Sequence, residues 1–206
     1  MQPYVRAALT ITGRPPGLVL HNGALSDDTS KVRQLIDELV DAGRGRKKRT
    51  EEQDERLDLL RWKGALYLNE DGRIVLPAIN LFKSIVIAAR ELNLGTKIED
   101  RGAVTIEQTE LPLDYNGPAD LDQLYQDTKY RLRIPVNPNP TSRTKTLLPM
   151  MRPVFPQWQA EARVLVLTEM IDWAKFLQVA DLAGNVGVGN ARKIGYGRYD
   201  VKVTKL

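Results

Sequence analysis

The sequence contains no cysteine and a single histidine, His21. Without cysteine, disulfide scaffolds, zinc fingers and thiol nucleophiles are excluded, and the chain suits a reducing cytosol. Long apolar runs are also missing. The run near Ile85–Ala89 is interrupted within a turn or two, far short of the roughly 20 residues that a spanning helix needs. The opening MQPYVRAALTITGR lacks a basic stretch followed by a long apolar one, so no signal peptide is expected. These absences predict a cytoplasmic protein with no membrane partner.

Several chemical signatures are absent as well. The dinucleotide fingerprint G-x-G-x-x-G fails, because the third glycine position after Gly187 and Gly189 is Arg192, and because the segment follows a predicted helix rather than opening one. No glycine-lysine-serine/threonine ending marks a P-loop, and no nucleophile elbow marks Ser/His/Asp chemistry. The nearest paired carboxylates, Asp27 with Asp28 and Glu99 with Asp100, fit helix caps or turns equally well. No cofactor and no metal are therefore expected.

What the chain has is 206 residues, 42% hydrophobic and 27% charged, enough for one sizeable core or one domain with a large insertion. Thirty Lys and Arg against 26 Asp and Glu leave a formal charge of +4. The positive residues cluster at Arg44–Arg49, Lys129–Lys145 and Arg192–Arg198. Clustered base on a balanced chain is the footprint of a polyanion binder, set against the plainer reading of solvated surface.

Periodicity orders the elements. Tyr4–Gly13 alternates as a strand, and Leu18–Asn22 is a short apolar run closing on His21. Val32, Leu35, Ile36, Leu39 and Val40 follow helical spacing, with Asp28 or Thr29 as cap and Gly43 as stop. After GRGRKKR, Thr50 and Gln53 form a capping-box pattern for a second helix that ends near Trp62 and Gly64. Ala65–Leu68 and Arg73–Leu76 flank Asp71-Gly72 as a hairpin. Pro77 opens a helix over Ala78–Leu94 that Gly95 ends. Ala103–Leu111 reads as a strand, and 112–156 as a long, proline-studded extended arm. Ala160–Leu167 (strand), Glu169–Ala183 (helix) and Tyr199–Val203 (strand) finish the chain. Set aside a helical insertion at 23–64 and the extended insertion at 112–156, and the order is βαββαβ. This is an α+β, ferredoxin-like, RRM-like core, expected as a single domain over 1–206. Trp62, Trp158 and Trp173 are read as core rather than as base platforms.

The segment VGVGNARKIGYGR, Val186–Arg198, concentrates the functional signal. Glycines let the backbone take positive φ and approach a ligand, so that amides can cradle phosphate oxygens while cations supply charge. Arg192, Lys193 and Arg198 lie among Gly187, Gly189, Tyr196 and Tyr199, the mixture that base stacking with phosphate neutralisation requires. A flexible connector is the plainer alternative. Further nucleic-acid-binding candidates are Arg46, Lys47, Lys48 and Arg49 in the first cluster, Lys129, Arg131, Arg133, Arg143 and Lys145 in the second, and Arg152.

The helix followed by AGNVGVGNARKIGYGRYDV, the opening strand with GLVLHN, and IVLPAINLFKSIVIAAR together resemble the RAMP superfamily, which includes backbone subunits of CRISPR effector complexes. Arg152, Pro153, Phe155 and Trp158 match an RP-x-F-x-x-W pattern similar to that of stand-alone RAMP-like bacteriophage proteins. The resemblance covers about half the chain in short pieces. It implies an RRM-like core that polymerises along a single strand of RNA or DNA, a homo-oligomer or filament, with the insertions acting as a helical web and a thumb. Some relatives cut RNA without metal through a histidine, a role only His21 fills here. The expectation is a non-catalytic single-strand binder. The alternatives are a phage structural protein, a CRISPR-subunit-mimicking interaction protein, or a metal-independent endoribonuclease.

Overall fold

The computed structural model describes residues 3–43, 49–136 and 148–206. In chain order these form β1 (Tyr4–Gly13), β2 (Leu18–Val19), α1 (Lys31–Ala42), α2 (Glu51–Gly64), β3 (Val75–Pro77), α3 (Ala78–Glu91), α4 (Gly95–Glu99), β4 (Val104–Ile106), β5 (Glu110–Pro112), β6 (Asp114–Tyr115) and α5 (Leu121–Gln126). β7 (Arg131–Val136), β8 (Leu148–Phe155), β9 (Trp158–Leu167), α6 (Trp173–Val186) and β10 (Tyr199–Lys205) complete the α+β fold. Among the described residues no helix is long and apolar enough to cross a membrane. The chain divides into two units, one drawn from 1–18, 68–116 and 155–206, the other from 19–67 and 117–154.

The first unit holds the expected βαββαβ order. Its main sheet runs β10-β1-β9-β4, with every pairing antiparallel, the strand order of a ferredoxin-like sheet. Alternation decides the faces. Ala7, Leu9 and Ile11 of β1 and Ala160, Ala162, Val164 and Val166 of β9 are all buried, under α3 and α6. Small residues let those helices lie close. Ser84 of α3 donates its hydroxyl to the Ala183 carbonyl of α6 at 2.8 Å and meets the Tyr199 hydroxyl at 3.3 Å. A Cβ on Gly184 would overlap the Tyr199 carbonyl oxygen, so α6 seats on β10 only with glycine there. The burial of such aliphatic side chains, about 1.5–3 kcal/mol each, holds the sheet and helix layers together.

The opposite sheet face is polar. Ala8 of β1 stands opposite Arg163 and Thr204, and Thr10 opposite Glu161 and Lys202. Arg6 pairs with Glu107 at 2.8 Å. Tyr4, at the end of β1, is the aromatic that this face offers on its described strands.

In the second unit, α1 and α2 pack through Leu25, Ile36, Leu57 and Ala65. The capping box at Thr50 and Gln53 forms as expected. Trp62 is fully buried and donates its indole N–H to the Tyr130 carbonyl at 2.8 Å. β2, β8 and β7 make a three-stranded sheet.

Several boundaries differ from expectation. Ser30, not Asp28 or Thr29, caps α1, and the Thr29 hydroxyl is instead committed to the Asp27 carboxylate, which also accepts from the Thr29 amide. The Asp71-Gly72 turn closes on a single bridge, Leu68–Ile74, since Val75 and Leu76 pair with β5 instead. Gly95 starts the short α4 rather than only ending α3. The strand expected over 103–111 splits at Gln108 and Thr109. The Gln108 side chain accepts from the Arg163 amide and the Thr109 carbonyl accepts from the Ala78 amide, which sends β4 and β5 to different sheets. α6 begins at Trp173, after a turn in which Met170 and Ile171 donate to Leu167. Among the described residues of 112–156, β6, α5 and the β7–β8 pairing give the expected extended arm more regular structure than its sequence suggests.

Candidate nucleic-acid interface

The glycine-rich segment joins α6 to β10 and is closed at its base by backbone bonds. Gly187 donates to the Ala183 carbonyl, Val188 to Gly197, and Gly197 to Gly17, at 2.7–2.9 Å. Gly187, Gly189, Gly195 and Gly197 all have φ between +74° and +96°, a region that costs an L residue about 1–2 kcal/mol. A Cβ on Gly197 would also overlap the Val188 carbonyl oxygen. Val188 is buried beneath this closure. Beyond it Arg192–Ile194 forms one 3-10 turn, entered through Ala191 at φ 58°.

This arrangement puts Arg192, Lys193 and Arg198 on the surface. None of the three has a carboxylate partner among the described residues. Ile194, 66% exposed, projects between them, an apolar tip that sequence reasoning missed. Tyr196 is half-buried. Tyr199 is not a base platform: it is a core residue, 1% exposed, whose hydroxyl titrates above its ordinary range because burial disfavours the phenolate. Gly187 does not offer its amide to a phosphate, since that N–H caps α6.

The other candidates lie in the second unit and are mostly engaged. Arg49 pairs with Asp54 at 2.6 Å, Lys129 with Asp127 at 3.0 Å, and Arg133 with Asp58 at 2.5 Å. Arg131 lies over the Tyr125 ring at 4.9 Å, and Tyr130 is buried. Arg46, Lys47, Lys48, Arg143 and Lys145 lie outside the described residues.

Arg152 is buried at 3% exposure, donates to the Met151 carbonyl at 3.2 Å, and leaves its Nε without a partner. Burial, then the charge of Arg61, lowers its pKa to about 10. It is therefore placed as an interior cation of its unit, not on a surface facing a strand. His21, in the same unit, has its pKa lowered to about 4 by burial and then by Arg152. Its Nδ1 has no partner, so near neutral pH it is an uncharged imidazole. Among the described residues no three His, Asp or Glu side chains gather as a metal site.

No protein-family model matches the chain, and no curated protein matches it in sequence. Among solved structures it is similar to a chain of the cryo-EM structure of the type III-B Cmr-beta bound to cognate target RNA, with a TM-score of 0.53 and 15% identity. The match covers 99% of this chain and 61% of that one. The chain thus spans about three fifths of the length of that structural neighbour, and what is shared is the fold.

Two stability tests follow. Gly197→Ala should destabilise by more than about 2 kcal/mol, read from urea unfolding, whereas Gly72→Ala, equally left-handed but in open space, should lose only the backbone cost of about 1–2 kcal/mol. Equal losses would mean that the loop closure is not sterically fixed. The second test is pH. The folded pKa of His21 lies below the unfolded value, so its contribution is complete above about pH 6.5 and lost as pH falls toward 4. The urea midpoint of wild type should fall across that window more steeply than that of His21→Gln. Parallel profiles would contradict this.

Proposed function

We propose that this chain binds single-stranded nucleic acid, RNA or DNA, through the phosphates, with Arg192, Lys193 and Arg198 as the principal contacts and Gly189 and Tyr196 at their edge. The observation that carries this reading is the set of three exposed cations without carboxylate partners, held on a loop whose backbone is closed at its base. Unpaired surface charge costs little in water, and it is available to an incoming phosphate without first breaking an ion pair. The similarity of fold to a chain in an RNA-bound assembly, and the sequence resemblance to the RAMP superfamily, support the same reading. So does the polar sheet face. With Tyr4 at its end, it suits backbone contacts better than the stacked bases of an RNA-recognition motif.

By the same resemblance the chain acts as an oligomerising subunit along the strand, and its lone histidine and lack of cysteine fit a non-catalytic role in the cytoplasm. An uncharged, half-buried His21 is a weak general acid at neutral pH, which favours binding over cleavage. The second-unit cations are secondary, because Arg49, Lys129 and Arg133 already hold carboxylates.

The test is a fluorescence-anisotropy titration with labelled single-stranded oligonucleotides at two salt concentrations. Wild type should bind at low salt and weaken steeply as salt rises. Replacing Arg192, Lys193 and Arg198 together by alanine should weaken binding about tenfold or more and flatten the salt slope by up to about three charges, with unfolding unchanged. Absence of binding by wild type would instead support a structural or interaction role. Cleavage of labelled RNA in chelator, lost in His21→Ala, would overturn the non-catalytic assignment.

A further inference from the structure

The main sheet of the first unit has two open edges, β4 on one side and β10 on the other. Strand register decides which backbone groups they leave free. Glu107 donates its amide to the Arg163 carbonyl, and Leu167 to the Ala103 carbonyl. Alternate residues of β4 therefore bond β9, while Val104 and Ile106 turn their N–H and C=O groups outward. On the other edge Leu206 donates to Arg6 and Arg14 to Arg198. Val201, Val203 and Lys205 of β10 thus turn theirs outward. Among the described residues no strand pairs with either row.

Each edge also carries apolar surface on the helix-covered side. Beside β4 lies a groove of about 470 Å³, lined by Ile79 and Phe82 of α3, Ile98 of α4, and Val104 and Ile106. Ile79 is 51% exposed. On β10, Val201 and Val203 are half-buried on the same face as Tyr199. Next to them on α6 are Trp173, over whose ring Lys205 lies at 4.7 Å, and Leu177 one turn on. The charges of the two edges differ in sign. Glu99 lines the groove and Glu107 follows β4, whereas β10 carries Lys202 and Lys205. Glu99 and Glu107 each hold an arginine, Arg90 and Arg6, through one oxygen, and a carboxylate has a second oxygen to offer. Lysines on an edge repel a second edge of the same kind, yet they suit an acidic one. Neither strand contains the proline that would block further pairing.

We propose that the β4 edge receives the β10 edge of a second copy of this chain, so that the sheet continues antiparallel from one copy to the next. The topology permits it. β4 runs parallel to β1 and β10 antiparallel to it, so copies in one orientation meet as an antiparallel pair. The outward groups match when Ile106 stands opposite Val203 of the next copy and Val104 opposite Lys205. That register sets Glu107 against Lys202, whereas a shift of two residues would set it against Asp200. The Val203 side chain then enters the apolar groove, and Lys205 falls on the side of Glu99. Because the two edges differ, the contact is heterologous and repeats from copy to copy. This inference rests on the oligomer reading above and gives it a surface.

The test uses a chain without native cysteine. Thr105 and Thr204, both exposed on the polar face, oppose each other across the proposed contact. They do so as a non-bonded pair, whose Cα separation of about 4.5 Å suits a disulfide. Within one copy they are three strand spacings apart, about 14 Å, too far to bridge. Oxidised Thr105→Cys/Thr204→Cys, with and without a long single-stranded RNA, should give a ladder of dimers, trimers and longer species on a non-reducing gel. Each single variant should give no trimer. Ile79→Glu adds a carboxylate to the first turn of α3, where the helix dipole favours it, and puts it in the groove. It should shrink the ladder and weaken self-association, followed by light scattering, about tenfold or more, while affinity for a short oligonucleotide stays that of wild type. No ladder from a protein that light scattering shows to be multimeric overturns the edge pairing and leaves the oligomer reading standing. Wild type that stays monomeric even on the long RNA overturns both. A ladder and a self-association that Ile79→Glu leaves unchanged overturn the part given to the groove.

Discussion

The closure of the α6–β10 loop is the constraint on which the rest depends. Three backbone bonds, from Gly187 to Ala183, from Val188 to Gly197 and from Gly197 to Gly17, fix a segment that would otherwise be a tether. They are possible because glycine occupies the positive-φ positions and because no Cβ stands between Gly197 and the Val188 carbonyl. A charged side chain on a loose tether loses conformational entropy when it binds. The same side chain on a closed loop has part of that cost met by folding. The glycines therefore act as a frame for Arg192, Lys193 and Arg198 rather than as a row of amides around a phosphate.

The frame also explains the division of labour in the first unit. Helices α3 and α6 cover one sheet face so completely that Tyr199, Trp158 and Phe176 are core residues. The opposite face carries threonine, lysine, glutamate and arginine, with Tyr4 at one end.

Much of the core was legible in the sequence. Tyr4–Gly13 alternates because one face is buried, Thr50 and Gln53 form the box that their spacing requires, and Pro77 opens the helix at Ala78. Local rules failed where tertiary partners decided. Val75 and Leu76 had a turn beside them, but β5 competed for their amides. Between 112 and 156, elements of two to eight residues are too short to show a period and are held by long-range partners such as Trp62 with Tyr130. The candidate site was half legible. The loop stood out as a contiguous run of glycine and base. The ion pairs that occupy Arg49, Lys129 and Arg133, and the burial of Tyr199 and Arg152, could be seen only once the chain was folded.

The central claim is that the loop tip touches the strand. Ultraviolet crosslinking of a bound single-stranded RNA, followed by mass spectrometry of the digested protein, tests it most directly. The account predicts nucleotide adducts on peptides from residues 187–198, at Lys193, Ile194 or Tyr196. Adducts confined to the polar sheet face, at strands β1, β9 and β10, with none on the loop, would contradict it.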